Sequence, residues 1–199
     1  MKLSVEGARK ATCAFSAGFL WLFYLTLLLI TLFLSNTAIS THIVLIVAGI
    51  FFWLSLVMVT RYFWPQHRFK MLFVVAINTL GLTYFYIFCN ESVRGMAGFT
   101  QNSTYYQLSQ ILMGISLIML GSVIWQHKKT PKAVSALLIV HGILWTARAG
   151  ISLTGPAPLI LILFSRAMTY LAEISFGLSW IWVGVTHFRK STAPLPPGS

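Results

Sequence analysis

Acidic residues are the scarcest feature of this 199-residue sequence, whose carboxylate side chains are limited to Glu6, Glu91 and Glu173. So few carboxylates exclude two-metal centres and Asp-rich transferase sites, which surround a cation with several oxygen ligands. Charged residues of both signs make up only 9% of the chain, whereas a soluble domain has roughly 25%. Because the chain has too few charges to cover a water-facing surface, we predict an integral membrane protein.

Cysteine and known catalytic motifs are scarce as well. The two cysteines, Cys13 and Cys89, fall at opposite predicted membrane faces, so we expect no disulfide between them. No P-loop, zinc-protease or Gly-x-Ser-x-Gly pattern occurs, and we expect neither a cofactor nor a metal. An enzyme is the less favoured interpretation, and it would require His141 or Glu173 to act on a lipid or prenyl substrate.

Long apolar stretches are abundant, since 57% of the residues are hydrophobic. About 20 apolar residues cross the roughly 30 Å hydrocarbon core of a bilayer as a helix. The sequence therefore predicts an all-α fold, a six-transmembrane-helix antiparallel bundle that forms one membrane domain over residues 1–190. A Pro-rich tail, 191–199, is predicted to be exposed. The six spans are predicted near residues 13–35, 43–62, 71–89, 107–126, 133–154 and 158–187.

Two pairs of glycines recur at a spacing of seven residues within single predicted spans. Gly114 and Gly121 lie on one face of the fourth span, and Gly177 and Gly184 lie on one face of the sixth. Small residues at such positions let neighbouring helix backbones approach closely. We therefore expect both faces to be helix contacts.

The basic residues indicate the orientation of the chain. Of the 14 lysines and arginines, 11 fall on the side that holds both termini, and only Arg94 falls on the other. This positive-inside bias predicts that both termini are cytoplasmic, with the bilayer as a partner. The location that we expect is the inner (plasma) membrane of a bacterium, although the charge bias does not identify the organism. Nucleic acid is not expected as a partner, because the basic residues are short clusters between apolar runs.

The ionisable residues inside the spans are concentrated on the last two helices. An ionisable side chain at the bilayer centre is costly, so each one is a candidate for function. His141 and Arg148 share one face of the fifth span, and Arg166 and Glu173 share one face of the sixth. The predicted ligand-binding residues are these four and two neighbouring aromatic residues: His141, Trp145, Arg148, Arg166, Tyr170 and Glu173.

Two ways of counting residues pair these groups differently. Folding the hairpin about residues 155–157 places His141 level with about residue 172, near Glu173, and Arg148 near Arg166. Counting from the basic residues at the cytoplasmic span ends pairs Arg148 with Glu173 instead. Arg148 lies 16 residues after Lys132, and Glu173 lies 16 residues before Arg189. The hairpin count is the more constrained, because the connecting loop is short.

In one interpretation, Arg148 and Arg166 lie above His141 and Glu173 and form a two-arginine pocket that faces the extracytoplasmic side. Such a pocket would suit a carboxylate or phosphate group, which Arg binds in bidentate geometry. The alternative is that these charges neutralise one another to hold the bundle together, or that Arg166 extends outward. The last hairpin resembles the multi-span sensor domains that precede cytoplasmic output domains in bacterial signalling proteins. The resemblance consists of the segment His141-Gly-Ile-Leu-Trp-Thr-Ala-Arg148, a long helix with Glu173, and the basic end and Pro-rich tail that follow. This resemblance implies a partner or output domain on the cytoplasmic side, although no output domain follows in this sequence.

We therefore expect a membrane-embedded ligand-binding or sensor module that recognises a small anionic or lipidic ligand. The alternative is a small transporter, or the substrate-binding membrane subunit of one.

Overall fold

The computed structural model describes residues 5–33, 38–93, 104–127 and 130–192, and all regular structure in them is helical. A helix satisfies every backbone polar group within itself, which lipid requires of a spanning segment. Each of the five helices is long and apolar enough to cross a membrane. The helices are α1 (Val5–Phe33), α2 (Ala38–Val93), α3 (Thr104–Trp125), α4 (Lys132–Thr154) and α5 (Leu159–Thr192).

The helix ends differ from the predicted span ends mainly at the two termini. α1 begins at Val5 rather than near residue 13, and its first turns carry an ion pair of 2.7 Å between Lys10 Nζ and Glu6 Oε1, four residues apart. α5 continues to Thr192, so the start of the predicted Pro-rich tail is helical. Residues 193–199 of that tail lie outside the described residues.

The α2 helix contains two of the predicted spans and is broken between them. His67 has φ −138° and ψ 33°, and Pro65, which lacks a backbone N–H, lies two residues earlier. Trp53 Nε1 donates a hydrogen bond of 2.9 Å to Thr79 Oγ1. In a straight helix these two residues would be about 39 Å apart, since each residue adds 1.5 Å. The two arms of α2, residues 38–66 and 68–93, therefore fold back against each other.

Helix packing follows the order of the chain and closes into a ring. Within the described residues, the backbones of α1 and α2, α2 and α3, α3 and α4, and α4 and α5 pack together, and α5 packs against α1. The first arm of α2 contacts α1, where Ser55 Oγ donates a hydrogen bond of 2.7 Å to the Ala17 carbonyl. The second arm contacts α3, where Asn78 Nδ2 donates one of 3.1 Å to Ser116 Oγ.

The paired glycines lie at the closest helix contacts, as their spacing predicts. A Cβ atom added to Gly114 would lie 2.7 Å from the Gly142 carbonyl oxygen on α4. Cβ atoms added to Gly177 and Gly184 would each lie 2.6 Å from side chains of α1. These glycines allow α3 to approach α4 and α5 to approach α1.

Aromatic side chains fill the core where α1, the first arm of α2 and α5 meet. The Trp21 ring lies 4.2 Å from the Phe176 ring and 5.0 Å from the Phe52 ring, measured between centroids. Trp180 follows one turn after Phe176 and is fully buried. The first and last helices are thus joined through large apolar contacts as well as through glycines.

Candidate functional site

A histidine and a glutamate meet between α4 and α5 near the middle of both helices. His141 Nε2 lies 3.4 Å from Glu173 Oε1, and both side chains are fully buried. This contact confirms the pairing that the short hairpin predicts and excludes, in this structure, the pairing of Glu173 with Arg148. The sequence could predict it because the loop after α4 leaves little freedom in the register of the two helices.

The hydrogen-bonding capacity of this pair is almost unused. Among the described residues, neither carboxylate oxygen of Glu173 and neither ring nitrogen of His141 has a hydrogen-bond partner. A buried polar atom without a partner costs about 1–3 kcal/mol, and more if it is charged. Removal of either member of the pair would leave the other buried without a compensating group, which is more costly than the intact pair.

Trp145 holds the next contact along the same helix interface. Its Nε1 donates a hydrogen bond of 3.1 Å to Thr169 Oγ1 on α5, and its ring centroid lies 4.5 Å from that of His141. Trp145 thus packs against the imidazole and links α4 to α5 one turn closer to the end of α4. Its predicted place beside His141 agrees with the structure.

Arg148 contacts α3 rather than α5. Its Nη2 donates a hydrogen bond of 2.9 Å to Oε1 of Gln110, a buried residue on α3. Arg148 is half-buried and lies about 9 Å along the helix from the end of α4, at 1.5 Å per residue. Neither carboxylate whose side chain is described is its partner, because Glu6 pairs with Lys10 and Glu173 with His141.

Arg166 is exposed, whereas Arg148 is half-buried. The hairpin register puts both residues at a similar depth, where two guanidinium charges would repel each other if they were close. Arg148 donates its hydrogen bond to α3, and an exposed Arg166 is compatible with the outward course that the sequence allowed as an alternative.

Two tyrosines belong to the surroundings of the buried carboxylate. Tyr24, on α1, is buried and lies within electrostatic range of Glu173. Tyr170, a predicted site residue, is half-buried one turn before Glu173 on α5. The carboxylate is thus flanked by one tyrosine from α1 and one from its own helix.

Gln110 is a site residue that the sequence interpretation missed. Gln107, Ser109 and Gln110 interrupt the apolar run at the start of the fourth predicted span, a pattern that by itself indicates only an uncertain start of the span. All three are buried in the structure. The signal was present in the sequence, because buried polar residues within an apolar span require partners just as charged ones do.

A second polar cluster, which we call the Tyr62 cluster, consists of Tyr62, His127, His187 and Thr130. The Tyr62 hydroxyl shares a hydrogen bond of 2.8 Å with His187 Nε2 and lies 3.4 Å from His127 Nε2. His127 Nδ1 and Thr130 Oγ1 share another, of 2.8 Å. Both histidines fall at cytoplasmic ends of predicted spans beside Lys or Arg, a position typical of basic residues at the membrane surface, but His187 is buried. The cluster joins the ends of α2's first arm, α3 and α5.

The part of the chain that the structure describes holds no group of three or more His, Cys, Asp or Glu side chains that could bind a metal ion. Compared with known proteins, the chain matches no family model, no curated protein and no solved structure.

Proposed function

We propose that the chain crosses the membrane six times, with both termini on the cytoplasmic side. The break at His67 and the contact between the two arms of α2 support this topology, because they turn five helices into six antiparallel segments. The concentration of 11 basic residues on one side supports the orientation. The resemblance of the last hairpin to bacterial sensor domains favours the inner membrane of a bacterium.

Within that membrane, we propose that the protein binds a small anionic or lipidic molecule from the outer side. The observation that carries this proposal is the half-buried Arg148, whose partner among the described side chains is the uncharged Gln110. An arginine within a span costs about 2.5–3.5 kcal/mol on insertion scales. A carboxylate or phosphate would offset this cost through bidentate, charge-assisted hydrogen bonds.

The adjacent His141–Glu173 pair supports the same location. Its unused hydrogen-bonding atoms are further contacts for a polar ligand head group, or for the water that accompanies it. Trp145 and Tyr170 add apolar surface with polar tips beside them. Binding, rather than chemistry, is the activity that one arginine and one histidine–glutamate pair support.

The opposite end of the bundle favours a binding or sensor module over a transporter. There, the Tyr62 cluster joins three helix ends, and the Tyr62 ring packs 5.1 Å from that of Trp180. Contacts that hold three helix ends together would resist the opening at this end that a transport cycle requires. α5 carries both Glu173 and His187, so a ligand that displaces it would affect a protein partner or output domain on the cytoplasmic side.

Thermal stability of the purified full chain in a nonionic detergent tests the binding proposal. Hexanoate and hexyl phosphate are the trial ligands, hexanol is the uncharged analogue, and chloride keeps the ionic strength constant. We expect at least one anion, but not hexanol, to raise the melting temperature of the wild type. Arg148→Gln should weaken that response at least about tenfold, because it removes a charged hydrogen-bond donor.

Arg68→Gln is the matched control, because it removes an exposed arginine at the other end of the bundle. It should leave the response unchanged. A wild type that responds to neither anion, or an Arg148→Gln protein that responds as strongly as the wild type, would contradict the proposed site.

A further inference from the structure

A basic groove lies outside the candidate site, on the surface formed by α1 and both arms of α2. Its volume is about 420 Å³. Arg9 of α1 and Arg61 and Trp64 of the first arm form its polar part. The apolar lining comes from both arms of α2 and consists of Val57, Leu72 and Val75.

The two arginines of the groove carry charge that the described residues do not neutralise. Both are exposed, and no ion pair to either occurs among the described side chains. Glu6 lies within electrostatic range of Arg9, but its carboxylate binds Lys10 at 2.7 Å. The groove thus offers two guanidinium groups to an external anion.

Trp64 and the apolar residues of the groove lie at different distances from the end of the bundle. The Trp64 indole is exposed beside the break in α2, at the end of the bundle where tryptophan and arginine prefer the membrane–water interface. Val57 lies one helical turn before Arg61, and Val75 lies one turn after Leu72, so both lie further from that end. The groove is basic and aromatic near the bundle end and apolar towards its middle.

We propose that this groove is a binding site for an anionic phospholipid. The lipid phosphate lies between Arg9 and Arg61, and the first part of an acyl chain lies against Val57, Leu72 and Val75. A lipid fits better than a soluble anion, because the apolar part of the groove is on segments that are apolar enough to span the membrane. Basic pockets between membrane helices bind anionic lipid head groups in this manner.

The test uses the full chain in nonionic detergent and counts retained lipid molecules by native mass spectrometry. Phosphatidylglycerol and phosphatidylcholine with the same acyl chains are offered together. We expect the wild type to retain phosphatidylglycerol preferentially. Arg9→Gln combined with Arg61→Gln should weaken its binding about 30-fold, since each basic residue near an anionic lipid contributes about 1 kcal/mol.

Arg68→Gln combined with Lys70→Gln is the matched control, because it also removes two positive charges near the break in α2, outside the groove. We expect less than about a threefold change from it. Equal losses in the two double variants would overturn the proposal, as would equal retention of the two lipids by the wild type. Displacement of phosphatidylglycerol by millimolar inorganic phosphate would identify a soluble-anion site instead and would also overturn it.

A further pair of changes, Arg9→Lys with Arg61→Lys, separates lost binding from lost folding. It keeps both charges but removes the planar guanidinium groups, so retention should lie between that of the wild type and the glutamine variant. Circular dichroism should show the same helix content for all variants. A lysine variant that folds normally but binds no better than the glutamine variant would contradict a site based on the two charges.

Discussion

Two buried histidines of this protein, His187 and His141, have opposite surroundings. His187 Nε2 lies 2.8 Å from the hydroxyl of Tyr62, an uncharged group that can donate or accept a hydrogen bond. His141 Nε2 lies 3.4 Å from a carboxylate oxygen of Glu173, and among the described residues neither oxygen of that carboxylate has a hydrogen-bond partner. The hydroxyl of Tyr62 thus gives His187 a hydrogen-bond partner. The polar atoms of His141 and Glu173 have none among the described residues, so they can still bind a ligand.

This difference separates a structural contact from a candidate for function. A satisfied polar cluster rigidifies the elements that it joins, and the Tyr62 cluster joins three helix ends. A buried ionisable pair with unused hydrogen-bonding atoms costs stability, so its presence is better explained by what it binds. Each of the following predictions tests one side of this contrast.

The largest effect is expected from breaking the His141–Glu173 pair. His141→Leu should lower the free energy of unfolding by about 3 kcal/mol, because it leaves the Glu173 carboxyl group buried without a partner. Adding Glu173→Leu should restore most of that loss, since an apolar pair of similar size has no such cost. Unfolding in mixed detergent micelles measures both. A double variant as unstable as the single one would refute the view that the pair is costly.

The next effect concerns the close contact between α3 and α4 beside His141. Gly114→Ala should lower the free energy of unfolding by about 2 kcal/mol, because the new Cβ would lie 2.7 Å from the Gly142 carbonyl oxygen. It should also weaken the anion response, since it displaces the helix that carries His141. Gly150→Ala is the control on the same helix as Gly142, where an added Cβ has no heavy atom within 4 Å. Similar losses for both variants would show that the helix contact is not the cause.

A smaller effect is expected at the Tyr62 cluster. Tyr62→Phe should lower the free energy of unfolding by about 1 kcal/mol, which is the usual net value of one hydrogen bond. It should leave the response to hexanoate and hexyl phosphate unchanged. Tyr105→Phe, at an exposed tyrosine, should change neither quantity. Loss of the anion response in Tyr62→Phe would mean that the cluster takes part in binding after all.

The smallest effect is expected from Arg166→Gln. Arg166 is exposed, so the melting-temperature titration should show less than about a threefold change in apparent affinity, which is the range expected for an exposed charge. A loss as large as that of Arg148→Gln would restore the two-arginine pocket that the sequence predicts.

The helices and the His141–Glu173 contact could be predicted because both depend on local constraints. Apolar runs of sufficient length determine the helices, and the short loop after α4 limits how α5 can be aligned with it. The partner of Arg148 could not be predicted in this way, because it depends on the rotation of α4 about its axis. That rotation is determined by the packing of α4 against α3. Gln110, the partner on α3, lies 38 residues before Arg148 in the sequence.

The Tyr62–His187 hydrogen bond illustrates a second limit. It joins residues 125 positions apart, and it exists only because α5 returns to pack against α1 and close the ring. No periodicity within a single helix indicates that closure. The glycines at 177 and 184 predicted that α5 has a close neighbour but did not identify it as α1.

The closed ring also has a consequence for how the chain is made. As the chain is synthesised, each helix up to α4 can pack against the helix before it. The second neighbour of α1 is α5, which is synthesised last of the five helices. Glu173 is on α5, so the packing of α5 against α1 also brings the carboxylate to His141. A chain whose α5 has not yet packed therefore has neither a closed ring nor the candidate site, and ligand binding would report that all five helices have assembled.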